Sequence, residues 1–259
     1  MDRRTLLKLL GFGALEISFG VSFPSRVSAS VGHEVHWGYI GESGVENWGN
    51  LSPEFQLCKT GIQQWPIDLQ GVIAAQLSAI EIDYKESPLR IVNNGHTIQV
   101  NYESGTSIKL DGQTYNLVQF HFHDPSGHMI DKKPFDMELH LVHRSEASAL
   151  AVIGVLLKQG QHNAALEPIW DAFPNRNEPE QVVKTVKVNA EQFLPKNQKV
   201  YRYFGSLTTP PCSQGVNWIV MQQPIEISQN QIQRFANNLI SIDARPVQPL
   251  NNRFVLRSS

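Results

Sequence analysis

Two histidines, His121 and His123, are separated by a single Phe in the segment QFHFHDPSGH, and a third, His140, follows in ELHLVH. Side chains in a β-strand alternate between two faces, so His121 and His123 point to the same face. Three imidazoles with a fourth open position are typical of a catalytic zinc site. The alternative is that these histidines are ordinary polar residues on a strand face.

The strand that carries the third histidine decides whether the three can meet. Alternation in ELHLVH predicts that His140 and Val142 lie on one face and Leu141 on the other. If this strand pairs with the strand of His121 and His123, the three imidazoles converge from neighbouring strands. An HxH pair with a distant His also occurs in cupins and in copper proteins. A cupin, however, carries a Glu four or five residues after the second His, where this chain has Gly and His.

The elements that must position these residues are mostly strands. Short segments rich in Val, Ile, Tyr and Phe are separated by NG, DG and Gly-Ser turns, which predicts strands. They cover 89–103, 106–123, 137–145, 149–158, 199–207 and 216–228. Two short helices are predicted near 163–173 and 228–239, the second capped by Ser228. The predicted fold is mostly β with short helices (α+β), as a single domain around a large, mainly antiparallel, twisted central sheet.

Composition excludes several functional classes. The chain has 259 residues, of which 41% are hydrophobic and 18% charged, and its net charge is -2. This composition suits one sizeable globular domain with a substantial core. Without a run of like charges, nothing indicates a nucleic-acid partner or an anionic membrane surface.

The first 29 residues predict an export signal. A basic start is followed by an apolar stretch, and Val27-Ser28-Ala29 resembles a small-residue cleavage site. Arg3-Arg4 followed by TLLK resembles a twin-arginine signal, which predicts a periplasmic or extracellular domain over 30–259. A membrane anchor is the alternative, although the apolar run is short for a spanning helix of about 20 residues.

The chain has two cysteines, Cys58 and Cys212. An even number of cysteines in an exported protein favours a disulfide over two free thiols. Because the chain has no CxxC pair, we do not assign the cysteines to a metal site.

A set of motifs along the chain resembles the α-class carbonic anhydrases in order and spacing. The motifs are HWGY at 36–39, QQWPIDL at 63–69, NNGH at 93–96, QFHFH at 119–123, ELHLVH at 138–143, GSLTTPPC at 205–212, VNWIV at 216–220 and RPVQPLNNR at 245–253. The resemblance implies a zinc enzyme that reversibly hydrates carbon dioxide to bicarbonate and a proton, with no membrane partner after the signal is removed.

The resemblance also implies roles for individual residues. The zinc ligands would be His121, His123 and His140, held by Gln119 and Glu138. Thr208 would orient the attacking oxygen, His96 would carry protons, and Cys58 and Cys212 would form the disulfide of exported members. The substrate pocket would be formed by Val142, Val152, Leu207, Thr209, Val216 and Trp218, and the proton path by Tyr39, Asn94 and Gln99. His128 and His143 are interpreted as structural residues.

Three positions depart from the family pattern. Gly127 stands where a Glu usually accepts a hydrogen bond from the Thr hydroxyl, Asp124 follows the second ligand in place of Trp or Thr, and Trp65 replaces a common Ser. We interpret Asp124 as pointing to the opposite strand face, so it does not replace the Glu.

Two hypotheses follow from these departures. The first is a working but slow hydratase, in which Gly127→Glu raises the rate. The second is a zinc-binding or scaffold member of the same fold that lacks catalytic activity.

Overall fold

Strands dominate the computed structural model, which describes residues 35–176, 178–239 and 244–259. The predicted export signal lies outside the described residues. The strands are Ile73–Ala75 (β1), Glu81–Asp83 (β2), Ser87–Asn93 (β3), Ile98–Asn101 (β4), Ser107–Leu110 (β5), Gln113–His123 (β6), Met137–Arg144 (β7), Leu150–Gln159 (β8), Gln181–Val188 (β9), Val200–Ser206 (β10), Gln214–Met221 (β11), Ile225–Ile227 (β12) and Leu256–Ser258 (β13).

These strands form one large mixed sheet, with the order β1-β13-β10-β11-β8-β7-β6-β4-β3-β9 along its main path. Most neighbours are antiparallel, as predicted, but β11 and β12 both pair with β8 in parallel, and β1 pairs with β13 in parallel. The predicted fold class is confirmed. Strands β6, β7, β8 and β11 lie side by side in the middle of the sheet.

The helices within the described residues are short. They are Trp48–Leu51 (α1), Leu57–Thr60 (α2), Glu167–Trp170 (α3) and Gln229–Ala236 (α4). The predicted cap of α4 is confirmed, because Ser228 forms a capping box with Gln231. The helix predicted over 163–173 is much shorter, since Pro168 in its first turn and Pro174 just beyond it confine the helix to one turn.

Alternation along β6 separates two environments. Phe120 and Phe122 are fully buried in the larger of two hydrophobic clusters, together with residues of α3 and α4. His121 and His123 lie on the other face, where a smaller cluster contains Trp65 and Trp218. The predicted assignment of these strand faces is therefore confirmed.

Two further features of the described chain are a disulfide and the short length of its helices. Cys58 and Cys212 form a disulfide, as predicted. It joins α2 to the turn that follows β10. Within the described part of the chain, every helix is too short or too polar to span a bilayer.

Candidate metal centre

The three histidines converge at the centre of the sheet. In the β6–β7 pairing His121 lies directly opposite His140, and His123 lies opposite Glu138. Each imidazole of the triad offers one ring nitrogen, and these three nitrogens lie within 4.8 Å of one another. Antiparallel register thus brings the histidines of two neighbouring strands together, as the sequence predicted.

Two neighbouring side chains fix the orientation of two of these rings. His121 Nδ1 lies 2.9 Å from Gln119 Oε1, and His140 Nε2 lies 2.9 Å from Glu138 Oε1. The Gln119 oxygen is an acceptor, so His121 donates its Nδ1–H to it and keeps Nε2 as an acceptor, while the nearby carboxylate of Glu138 favours a proton on His140 Nε2. His140 Nδ1 is buried and has no hydrogen-bond partner among the described residues. An orphaned buried acceptor that faces two other imidazoles fits a metal ligand.

The electrostatics of the triad favour neutral imidazoles. Burial lowers the pKa of His121 well below its usual range, and the neighbouring His123 and His140 lower it further. Burial also lowers the pKa of His140, although Glu138 opposes this effect. Because metal ligation requires the unprotonated ring, a buried triad in which these two pKa values are lowered fits a divalent cation such as Zn²⁺.

A buried carboxylate links this triad to a second histidine. Glu138 Oε1 accepts from His128 Nδ1 at 2.6 Å, and Oε2 accepts from the His128 backbone N–H at 2.9 Å. Burial raises the pKa of Glu138, but His128 and His140 outweigh it and place that pKa well below its usual range. The Tyr203 hydroxyl lies 2.6 Å from His128 Nε2. Both nitrogens of His128 are thus engaged, as its structural interpretation predicted.

His143 has the second structural role that the sequence predicted. Its Nε2 lies 2.7 Å from the hydroxyl of Tyr84, on the opposite face of β7 from His140. Burial lowers the pKa of His143 to about 3, so this ring is neutral at physiological pH. The two histidines of β7 therefore occupy separate environments.

A cavity of about 180 Å³ opens onto the triad. One wall is apolar, and the turn after β10 adds two hydroxyl side chains. Val142, Val152, Leu207, Val216 and Trp218 form the apolar wall, and Thr208 and Thr209 lie beside it. Parallel pairing of β11 with β8 places Trp218 next to Val152, which unites this wall. All the predicted pocket residues therefore line one cavity.

His96 lies where this cavity meets an outer hollow. Its ring stacks on Trp37, with centroids 3.8 Å apart and the planes inclined by 10°. The outer hollow is also lined by His36 and Arg176. Burial lowers the pKa of His96 from its usual 6.5, and the charges of His36 and Arg176 lower it further. Tyr39, Asn94 and Gln99, the residues of the predicted proton path, line the cavity that opens onto the triad.

The sequence interpretation missed three pocket residues and one steric constraint. Trp37, Thr97 and Ser206 line the cavity, but none of them carries a residue type that is specific for metal or acid–base chemistry. The constraint concerns Gly127. A Cβ built at this position would lie 2.1 Å from Cζ2 of Trp65. A side chain at position 127 would therefore require the indole of Trp65 to move, and the expected rise in rate on Gly127→Glu stays a prediction.

Residues 43–259 match the family model described as eukaryotic-type carbonic anhydrase. A carbonic anhydrase of Nostoc sp. is 46% identical over 99% of this chain and 97% of its own length. One of Neisseria gonorrhoeae is 44% identical over 88% of this chain and 90% of its own.

A solved structure gives the same result. The α-carbonic anhydrase of Thermovibrio ammonificans, in complex with the inhibitor sulfanilamide, superimposes with a TM-score of 0.83 at 42% identity, over 86% of this chain and 99% of its own. Sequence and fold thus agree over nearly the whole described chain. The chain belongs to the eukaryotic-type, or α-class, carbonic anhydrases.

Proposed function

We propose that the protein is a lyase that catalyses the zinc-dependent, reversible hydration of carbon dioxide to bicarbonate and a proton. The observation that carries the proposal is the buried histidine triad at the base of a cavity with one apolar wall. The site then combines the metal ligands with an uncharged surface for the substrate and with a titratable group, His96, at the mouth of the cavity.

The metal would be held by His121, His123 and His140. A Zn²⁺ ion with three neutral ligands lowers the pKa of a water molecule to about 7, a value known from carbonic anhydrases themselves. Gln119 and Glu138 hold two ligand rings in the required tautomer through their 2.9 Å contacts. The ionised Glu138 also increases the basicity of His140.

The apolar wall suits carbon dioxide, which has no net charge. Val142, Val152 and Trp218 offer it a surface without competing hydrogen bonds, whereas charged bicarbonate gains little there. Thr208 would orient the attacking oxygen through its hydroxyl, and Thr209 would contact the substrate. This arrangement favours entry of the neutral species and release of the anion.

His96 would move the proton between the cavity and solvent. An imidazole can both take up and release a proton near neutral pH. The lowered pKa of His96 favours release, and stacking on Trp37 holds the ring between the cavity and the outer hollow. Tyr39, Asn94 and Gln99 would support the water chain on the cavity side.

Export to an oxidising compartment, the periplasm or the extracellular space, is part of the same proposal. The disulfide between Cys58 and Cys212 is typical of such compartments. The partner proposed for the mature protein is the small-molecule substrate alone.

The alternative is a scaffold protein without activity, and Gly127 was the observation that favoured it. The triad, its two holding groups and the cavity are all present, and they favour catalysis over a scaffold role.

A hydration assay on the purified protein tests the proposal. We expect about one zinc per chain, carbon dioxide hydration that stops when a chelator removes the metal, and recovery on addition of zinc. A zinc-loaded protein that leaves the uncatalysed rate unchanged would instead support the scaffold role.

Replacing His96 tests the proton path. We expect His96→Ala to lower the maximal rate at low buffer by about tenfold to a hundredfold, because general acid–base transfer is lost. Initial capture of carbon dioxide should be nearly unchanged, and added imidazole should restore part of the rate. The matched control is His162→Ala, which removes an exposed histidine that lies 3.5 Å from Glu167.

The pH profile adds a second readout for His96. A shuttle must be unprotonated to accept a proton, so its contribution falls as the pH drops through its pKa. Since the pKa of His96 is lowered, the His96-dependent rate should fall at a pH below 6.5. A low-buffer rate in His96→Ala equal to that of the unmodified protein would show that protons leave by another route.

A further inference from the structure

Trp65 lies directly behind the histidine triad. It is 1% exposed, and its ring centroid is 5.5 Å from those of both His123 and His140. Its other face stacks on Trp218 at 5.9 Å. Trp65 therefore contacts two metal-ligand candidates and one residue of the apolar wall.

Two hydrogen bonds hold the main chain of Trp65, from which the indole extends. The Trp65 N–H donates to Ser206 Oγ at 3.0 Å, and Arg245 Nη1 donates to the Trp65 carbonyl at 3.0 Å. Ser206 is the last residue of β10, so Trp65 is tied to the strand that leads into the Thr208 turn. These hydrogen bonds fix the main chain of Trp65, and the ring contacts with His123, His140 and Trp218 then fix the indole.

Gly127 faces the edge of the same ring. A Cβ at this position would lie 2.1 Å from Cζ2 and 2.2 Å from Cη2 of Trp65, whereas real Cβ contacts essentially never fall below 3.0 Å. The φ angle of Gly127 is outside the left-handed region, so its backbone conformation does not require glycine. The three atoms nearest to that Cβ all belong to the indole of Trp65.

Packing, and not a hydrogen bond of the indole N–H, holds the Trp65 ring in place. Trp48, Trp170 and Trp218 are equally buried, and each donates its indole N–H to a backbone carbonyl. Trp65 Nε1 is buried without a hydrogen-bond partner among the described residues. A buried unpaired donor is unfavourable, so contacts of the ring must compensate for it.

We propose that Trp65 is a positioning residue for the metal ligands, and that Trp65 and Gly127 form one sterically coupled pair. The indole fills the side-chain volume of position 127 and fixes the imidazoles of His123 and His140 by packing. Where the family pattern has a Glu side chain at position 127, this chain has the indole of Trp65 in the same space. The inference rests on the proposed metal site, and it implies that a carboxylate at position 127 requires a small residue at position 65.

A double-mutant cycle on the metal-free protein tests the steric coupling. Gly127→Ala should lower the Tm by roughly 2 to 10 °C, because overpacking displaces the indole. In the Trp65→Ser background the same substitution should leave the Tm nearly unchanged. Equal effects of Gly127→Ala in both backgrounds would contradict the pairing.

Zinc affinity tests the positioning role. Competition with a chelator should show that Trp65→Ser weakens zinc binding by about tenfold to a hundredfold, a typical effect of losing support for a ligand. Trp65→Phe keeps a ring in place and should bind zinc within about threefold of the unmodified protein. The visible spectrum of the Co²⁺-substituted protein should change in Trp65→Ser and be restored in Trp65→Phe.

Trp170→Ser is the matched control, since this buried Trp packs on Phe122, on the opposite face of β6 from the ligands. It should lower the Tm while zinc affinity stays unchanged. Unaltered zinc affinity in Trp65→Ser would overturn the positioning role. If the unmodified protein bound no zinc, the proposed function would fail, but the cycle on the metal-free protein would still report the steric pair.

Discussion

His140→Ala should remove the metal and lower carbon dioxide hydration by at least about a thousandfold, a loss of roughly 4 kcal/mol in transition-state stabilisation. Two imidazoles remain in this variant, and two protein ligands rarely hold Zn²⁺ tightly. The substitution also leaves the buried carboxylate of Glu138 without the ring that lies 2.9 Å from its Oε1. Metal analysis after dialysis and a stopped-flow hydration assay would measure both effects.

The same strand provides the control for this experiment. His143→Gln removes an imidazole three residues further along β7, where the ring contacts the Tyr84 hydroxyl at 2.7 Å and not the cavity. We expect this variant to retain zinc and most activity, with some loss of stability. Full zinc occupancy in His140→Ala would show that the ligand assignment is wrong.

Removing the disulfide should cause the largest loss of stability. Cys58 and Cys212 close a loop over a sequence separation of 154 residues. In the chain-entropy model such a cross-link contributes about 5 kcal/mol, and measured values are often lower. The double variant Cys58→Ala, Cys212→Ala should therefore lose roughly 10 °C or more in Tm.

The disulfide also bears on the active-site turn. The Cys212 N–H donates to the Thr209 carbonyl at 2.9 Å, and the Leu207 N–H donates to the Ser213 carbonyl at 2.9 Å. Hydration at 25 °C should fall only a few-fold in the double variant, since these backbone bonds remain. Dithiothreitol should lower the Tm of the unmodified protein to that of the variant and leave the variant unaffected. If the unmodified protein and the double variant had the same Tm without reductant, the stabilising role of the disulfide would be refuted.

The site was largely predictable because its key residues follow local rules. Alternation placed His121 and His123 on one face, and the register of β6 with β7 then placed His140 opposite His121. The motifs of the resemblance added the apolar wall and His96, and the structure brings these residues to one cavity.

The unpredicted parts of the fold depend on non-local pairing. Strand β9, Gln181–Val188, lies at the edge of the sheet with most of its residues exposed, so its valines show no clean alternation. Strands β1, β2 and β13 have three residues each and are defined by their partners alone. Contact between Trp65 and Gly127 joins segments far apart in the chain, which no local pattern predicts.

The strand pairings that form the two sides of the cavity join residues at very different separations along the chain. The ligand strands β6 and β7 pair across about 20 residues from His121 to His140, whereas the parallel pairing of β8 with β11 joins Val152 to Trp218 across about 65. Closing the longer loop costs only about 1 kcal/mol more in chain entropy. The side of the cavity that carries the histidine triad therefore has a low contact order and the side formed by the apolar wall a high one, so the two sides of one cavity belong to different classes of folding problem.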